Sequence, residues 1–590
     1  FLSLISLEVT DPENTTMEQI MRSSIIGLLI FGLSFLTHGA ERVGDFTLLD
    51  HEGISYSMSW YDDLDAVVLL TQANECSSSQ ESVMAFKNVQ DRYDDANLRF
   101  LMLNAEGSRD RVLVAAAADR YGVDIPILMD DSQMISQALG IKQTGEAIVF
   151  DPSSFRVQFR GPVDSLAMAL DQISAGETIS NTQIPVSGCN IAYEMTPDAS
   201  ISYADNIAPI LAENCAACHR ENGIAPFALD SHQAVRGWSP MIREVVMTRR
   251  MPPGQIDPHI GNFESAPGLS NDEIQQLLNW IAAGSINESD RDPLTTLSWP
   301  ETKWSLGEPD LVVKVPPQQI PATGVLDYRN LLVPIEGLAE ARWVRGSEVS
   351  PGDPTVVHHV IPSVIPPGGG TARGEGSSSI LDLNPEVPTL ASYAPGYVNR
   401  MEDEGTGSLL EVGSKLALQM HYTTSGKETV DETEVGIYFY PEGFVPTERV
   451  SGRPAETDNI RIPPGAKDHE MLASITMDRN VYLQSVLPHM HFRGKRMRFT
   501  AEYPDGTEEV LFSQPHYNFN WQLTYFFEEP VFLPEGTSIV LDGAFDNSAQ
   551  NPFNPDPSIT VRDGQQSWEE MFFGFMTWKD ADQSKWAIEN

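Results

Sequence analysis

The stretch SVLPHMHFRGK (485–495) carries two histidines, His489 and His491, one residue apart in a run that reads as a β-strand and ends in a basic turn. Residues i and i+2 of a strand point to the same face, so both imidazoles can be presented to one ion. Alone, a His-x-His pair on a strand is equally a solvated face, and its surroundings must decide. Runs of the same kind recur on both sides: PDLVVKVP (309–316), TEVGIYFYP (433–441), RMRFTAEYP (496–504), EVLFSQP (509–515) and TSIVLDGAFDNS (537–548). Short strands and turns at regular spacing predict antiparallel β-sandwich architecture, and the length of the segment predicts two in tandem, 300–445 and 446–590.

Seven of the twelve histidines fall in this segment: His358, His359, His421, His469, His489, His491 and His516. VVHHVIP (356–362) and LALQMHYTT (416–424) set theirs in apolar strand sequence, where an unpartnered imidazole is costly. Adjacent His358 and His359 face opposite sides of a flat strand, so both reach one ion only where the strand twists or bulges. Otherwise one is core and the other surface. Three imidazoles suit copper in either oxidation state, whereas two imidazoles with a thioether favour Cu(I), and zinc seldom takes methionine.

In chain order, HH, then HY, then HxH, then the EEM of QSWEEMFFGF (566–575) resembles the copper type II, ascorbate-dependent monooxygenases, the peptidylglycine α-hydroxylating and dopamine β-monooxygenase family. The resemblance spans about 310–578. It implies that His358, His359 and His421 hold one copper in the first sandwich, and that His489, His491 and Met571 hold the second, catalytic one. Two departures bear on the substrate. Leu487 and Phe575 stand where the peptide-amidating members carry an arginine and a tyrosine, so the resemblance implies a pocket walled by Leu487, Phe572 and Phe575 that takes a small uncharged molecule. The segment also lacks cysteine, where animal members are stapled by disulfides. His469 and His516 match no part of the pattern.

Before the sandwiches, 201–290 opens SYADNIAPILAENCAACHREN (202–222). Cys215, Cys218 and His219 form CxxCH, the attachment signature of a c-type haem, with two thioethers and a proximal imidazole. A zinc or thioredoxin-like CxxC is the alternative. RRMPPG (249–254) and the helix-like LSNDEIQQLLNWIAAG (269–284), with Ile274, Leu277, Leu278 and Ile281 on one face, complete a pattern that resembles small all-α cytochromes c. That resemblance implies Met251 as the sixth ligand, with Met247 and His259 as weaker rivals.

Further upstream, strand and helix patterns alternate from Val43 into an α/β domain predicted over 43–175. The order, with Cys76 after the first long apolar strand, resembles the thioredoxin-like fold of the peroxiredoxin and redoxin families. Its catalytic parts are altered: NECSSSQ (74–80) has one cysteine in place of CxxC, Ala73 replaces the usual threonine, and Thr144-Gly145 replaces a cis-proline. Cys76 is a candidate redox thiol or an inert remnant. A Ser/Thr/Pro/Gly-rich linker is predicted over 176–200, and its Cys189 is a candidate partner for Cys76.

The first forty residues contain MRSSIIGLLIFGLSFLTHGA (21–40), laid out as a secretory signal peptide, and no stable membrane span is expected. A periplasmic or secreted location follows, and four cysteines in 590 residues exclude a disulfide scaffold. Thirty-eight basic against eighty-three acidic residues give a net charge of −45, which repels nucleic acid. The expectation is therefore a multidomain protein with a thioredoxin-like domain, a cytochrome c domain and two β-sandwiches, carrying two copper ions and one c-type haem. It would hydroxylate a small organic substrate with O2, fed by an external electron donor. The alternatives are a non-catalytic haem and copper electron-transfer protein, or a haem-linked thiol peroxidase acting through Cys76.

Overall fold

In the α/β domain the strand Ala66–Gln72 is buried at every position, as its unbroken apolar run requires of a strand covered on both faces. The computed structural model, which describes residues 42–196, 200–221, 223–299, 303–368, 390–397 and 399–583, pairs it in parallel with Leu98–Asn104 and antiparallel to Glu146–Asp151. These belong to a seven-stranded sheet. The signal segment at 1–40 lies outside the described residues. Helices Ser79–Arg92, Arg111–Tyr121 and Leu166–Ser174 cover one face of the sheet through Val83, Phe86, Val114 and Leu166. On the other face Leu101, Ile148 and Phe150 share a core with Met247 and Leu278.

Those two residues come from the next segment, which is helical over Ala208–Asn214, His232–Met247 and Asn271–Ala282. Ser270 and Glu273 form a capping box that starts the last helix. The stripe predicted on this helix is split between two cores. Leu278, with Ile274 and Ile281, packs on the α/β sheet, while Leu277 and Trp280 join the helices' own core. A helix wedged between two apolar layers needs both faces apolar, so the single-stripe reading was too narrow.

The stretch read as a linker is docked rather than free. Ile184 N–H donates to Arg160 O (2.9 Å), Ile191 N–H to Lys142 O (2.9 Å) and Glu194 N–H to Gln133 Oε1 (2.9 Å). A disulfide joins Cys189 to Cys76 across 113 residues. Gly188 passes so close to the sheet that a Cβ there would lie 2.0 Å from Thr144 O. Polar composition marked this stretch as irregular, but it gave no sign of the backbone pairing that holds it.

Several antiparallel β-sheets follow. The first β region pairs Arg329–Pro334, Lys415–Tyr422 and Val357–Ile365 in one sheet, and Ser408–Leu410, Arg342–Ser350, Glu434–Phe439 and Leu311–Lys314 in another. Val344, Val360, Leu418 and Ile437 join the two in one core. In the second region Val450–Glu456, Phe573–Asp580, Val481–His489 and Tyr525–Leu533 form one sheet, and His469–Thr476, Ser538–Phe545, Gly494–Glu502 and Glu508–Gln514 the other. Phe499, Leu541, Val486 and Met576 lie between them.

The loop after helix His232–Met247 ties these parts together. Arg111 of the α/β domain makes two bonds to Asp257, of 2.8 and 3.0 Å, and Asp257 N–H donates to Ser513 O (2.9 Å). Phe263 packs on Phe512, Tyr525 and Phe527, and the Tyr525 hydroxyl donates to Gly254 O at 2.6 Å. Among the described residues no helix is long and apolar enough to cross a membrane.

Candidate metal centres

Strands Val357–Ile365 and Lys415–Tyr422 run antiparallel with His359 directly opposite His421. The register shifts between Val357 and His359, an irregularity that leaves His358 as the extra residue and lets both adjacent imidazoles reach His421. Nδ1 of His358 lies 3.3 Å from Nδ1 of His359 and 3.1 Å from Nδ1 of His421. An ion held by imidazoles at about 2.0 Å sets its ligand nitrogens about 3.3 Å apart in a tetrahedral arrangement, so these spacings suit a shared metal. A neutral imidazole carries one N–H, and three Nδ1 atoms facing one another cannot all be paired by hydrogen bonds. Burial pushes His358 down to about 4, and burial with mutual repulsion holds His359 and His421 well below the usual histidine range. All three are thus neutral, the form that binds metal. His358 Nε2 is buried without a partner.

His489 ends strand Val481–His489 opposite Phe573, and His491 follows just beyond. Their rings stand 5.2 Å apart at 90°. The Nδ1 atoms are engaged: His489 with Gln522 Oε1 at 2.5 Å and His491 with Glu569 O at 3.1 Å. Each acceptor calls for a proton on Nδ1, which leaves Nε2 as the lone-pair nitrogen on both rings. His491 Nε2 is buried and unpartnered. Burial pushes His489 down to about 4, and burial first, then His489, pushes His491 down to about 3. Met571 lies in the chain between Glu570, whose carboxylate accepts the His491 main-chain N–H at 2.9 Å, and Phe573 opposite His489.

One aromatic ring neighbours both sets. Phe519 stacks on His358 (4.9 Å, 15°) and lies 5.8 Å from His421 and 6.0 Å from His491. Ser567 Oγ is 3.5 Å from His421 Nε2 and donates to the Tyr328 hydroxyl at 3.3 Å. Beside His489 lie Phe573 and Phe575, with ring centroids 6.2 and 6.1 Å from it, and Leu487, which pairs with Phe575. Phe572 does not wall this face. It is fully buried against Phe545 and Gly543 in the core, because side chains alternate along the strand and Phe573 takes the outward place.

In the helical segment Cys215 and Cys218 are free thiols. Burial pushes Cys215 up to about 12 and raises Cys218. His219 Nδ1 is 3.1 Å from Phe227 O, a contact that places the proton on Nδ1 and frees Nε2. Met247 is 4 % exposed within the α/β core, and His259 Nε2 is bound to Asp131 at 2.9 Å, so both rivals of Met251 are committed elsewhere. Met251 begins the loop that reaches Gly254 and Tyr525.

Cys76 is not a free thiol but half of the disulfide to Cys189. Thr144, at the place of the missing cis-proline, sets its Oγ1 3.2 Å from Cys76 Sγ, and its main-chain N–H donates to Cys189 O at 2.9 Å. His469 and His516 join neither set. His516 sits against Trp60 of the α/β domain, ring centroids 5.5 Å apart. The supporting residues Gln522 and Phe519 were missed in the sequence, where nothing in their spacing distinguishes them from ordinary polar or aromatic residues.

Residues 40–164 match the AhpC/TSA family, so the chain contains a thioredoxin-like, redoxin-type domain. No curated protein matches the chain. Similar solved structures include a hypothetical protein from Sinorhizobium meliloti 1021 (24% identity, 26% of this chain and 93% of that one, TM-score 0.24). Peroxidoxin BcpB from Mycobacterium tuberculosis is similar at 18% identity over 23% of this chain and 96% of its own, with a TM-score of 0.21. A thiol-disulfide oxidoreductase from Bacteroides fragilis NCTC 9343 is similar at 18% identity over 22% and 98%, with a TM-score of 0.19.

Proposed function

We propose that this chain is an exported, periplasmic or secreted, copper-dependent monooxygenase that hydroxylates a small uncharged organic substrate and draws electrons through its own c-type haem. The observation that carries the reading is the convergence of three buried, neutral imidazoles at 3.1 and 3.3 Å, beside a second pair whose Nε2 atoms are left free. His358, His359 and His421 would hold one copper, and His489, His491 and Met571 the other. Cys215, Cys218 and His219 would hold the haem, with Met251 as its sixth ligand. When bound, these groups supply one-electron transfer and the activation of O2, for an overall reaction in which two electrons and two protons convert R–H and O2 into R–OH and water.

The chain's own residues do the rest. Gln522 and the Glu569 carbonyl fix the tautomers of His489 and His491 and aim their Nε2 atoms. Phe519 places an apolar ring against both sets, on His358 of one and near His491 of the other. Leu487, Phe573 and Phe575 offer an apolar shelf beside His489, suited to an uncharged substrate. The loop from Met251 to Phe263, packed on the second β region, holds the helical segment against the metal-binding half so that an external donor need reach only the haem.

Oxygen uptake that requires both copper and an added apolar substrate is expected, and uptake indifferent to copper would contradict the proposal. A second reading, a thiol redox protein working through the Cys76–Cys189 couple, draws on the redoxin domain. Loss of turnover in Cys76→Ser at unchanged copper content would favour it.

A further inference from the structure

On the copper reading above, the second set is assembled from two pieces of chain 79 residues apart, and one side chain cross-links them. Glu570 is fully buried, and both of its carboxylate oxygens are used on the main chain that carries the histidine pair. Oε2 accepts the N–H of His491 at 2.9 Å and Oε1 accepts the N–H of Arg493 at 2.7 Å. Its own main chain is fixed in turn: the N–H donates to Arg562 O and the carbonyl accepts from Gly564 N–H, each at 3.1 Å. Arg493, also fully buried, closes the assembly with Nε on Asn547 Oδ1 (2.8 Å) and Nη1 on Trp568 O (2.9 Å), its guanidinium 3.8 Å from Glu570.

These contacts leave the carboxylate no role at a metal, yet they fix the residues on both sides of the site. His491 is held through its main chain by Glu570 and through its ring by Glu569, while Met571 is the next residue along. An apolar side chain at 570 would fill the space but strand two buried N–H donors. We propose that Glu570 is a positioning residue that registers Met571 against His489 and His491, and so sets the affinity of the thioether-bearing copper site without touching the ion.

The test uses the full chain, titrated with copper(II) below the melting temperature of each variant, with copper content, haem content and the copper paramagnetic resonance spectrum as readouts. Glu570→Ala should keep its haem and about one copper, bind the second at least tenfold more weakly, and show a residual spectrum like that of His489→Ala. Glu570→Gln keeps the shape and one acceptor oxygen, so it should recover part of that affinity. Two coppers bound by Glu570→Ala with wild-type affinity would overturn this assignment alone. Loss of both coppers and the haem together would overturn it too, by showing a fold defect in place of a positioning one. A wild-type chain that takes up no copper overturns the copper reading and this assignment with it.

Discussion

At the scale of single residues, the histidines that the structure brings together, His358, His359 and His421, were legible because their type is rare and their surroundings apolar. Histidine in a strand such as LALQMHY has few bland explanations, whereas the glutamine and phenylalanine beside the imidazoles are ordinary residues whose use depends on partners distant in sequence. His516 illustrates the limit. It has no place in either set, and the structure puts it at a junction, near Trp60 and the positive charges of Arg249, Lys495 and Arg250. Burial first, and those cations second, push its pKa from 6.5 down to about 4. The unfolded chain therefore binds a proton that the folded one refuses between these two values, and stability falls as pH drops through that window. The loss from this group at pH 5 is about 2 kcal/mol. Melting compared at pH 7 and pH 5 should show a smaller acid shift in His516→Phe than in the wild type, and equal shifts would contradict the assignment.

At the scale of elements, strand periodicity located the sheets, and it also decided which side chains share a face wherever the ladder was regular. It failed where the ladder was not. A flat strand cannot turn His358 and His359 to the same ion, and only the register shift beside Val357 resolves that conflict. Phe572 and Phe573 are indistinguishable by composition, and a one-residue difference in register exchanges a core residue for a pocket wall. Phe573→Glu should accordingly lower turnover of an apolar substrate at least tenfold while copper content stays the same, since the side chain stands beside His489 without being a ligand. The docked segment at 177–196 is a different failure, because its stability comes from pairing and a disulfide that polar sequence does not advertise. Cross-linking across 113 residues limits the unfolded chain by up to about 4–5 kcal/mol in the chain-entropy picture. Cys189→Ser should therefore melt earlier, with copper and haem content unaltered if the redoxin domain acts as a scaffold.

At the scale of the whole molecule, the order of segments was readable from composition shifts and motif order, but their docking was not. The α/β sheet completes its second core with Met247 and Leu278 of the helical segment, and Arg111 reaches Asp257 in the loop beyond Met251. Asp257 is 1 % exposed, so Arg111→Ala leaves a buried carboxylate short of its partner, at a cost of about 3 kcal/mol. On the proposed haem reading, the haem spectrum of that variant should change with the setting of the Met251 loop, and an unchanged spectrum would contradict a supporting role for the redoxin domain. The proposed function requires two groups of donors, drawn from parts of the chain far apart in sequence, each to enclose one copper. Metal and haem analysis of the purified wild type beside His489→Ala tests this most directly. About two coppers and one haem should fall to about one copper and one haem; equal copper in the two proteins, or none in either, would contradict it.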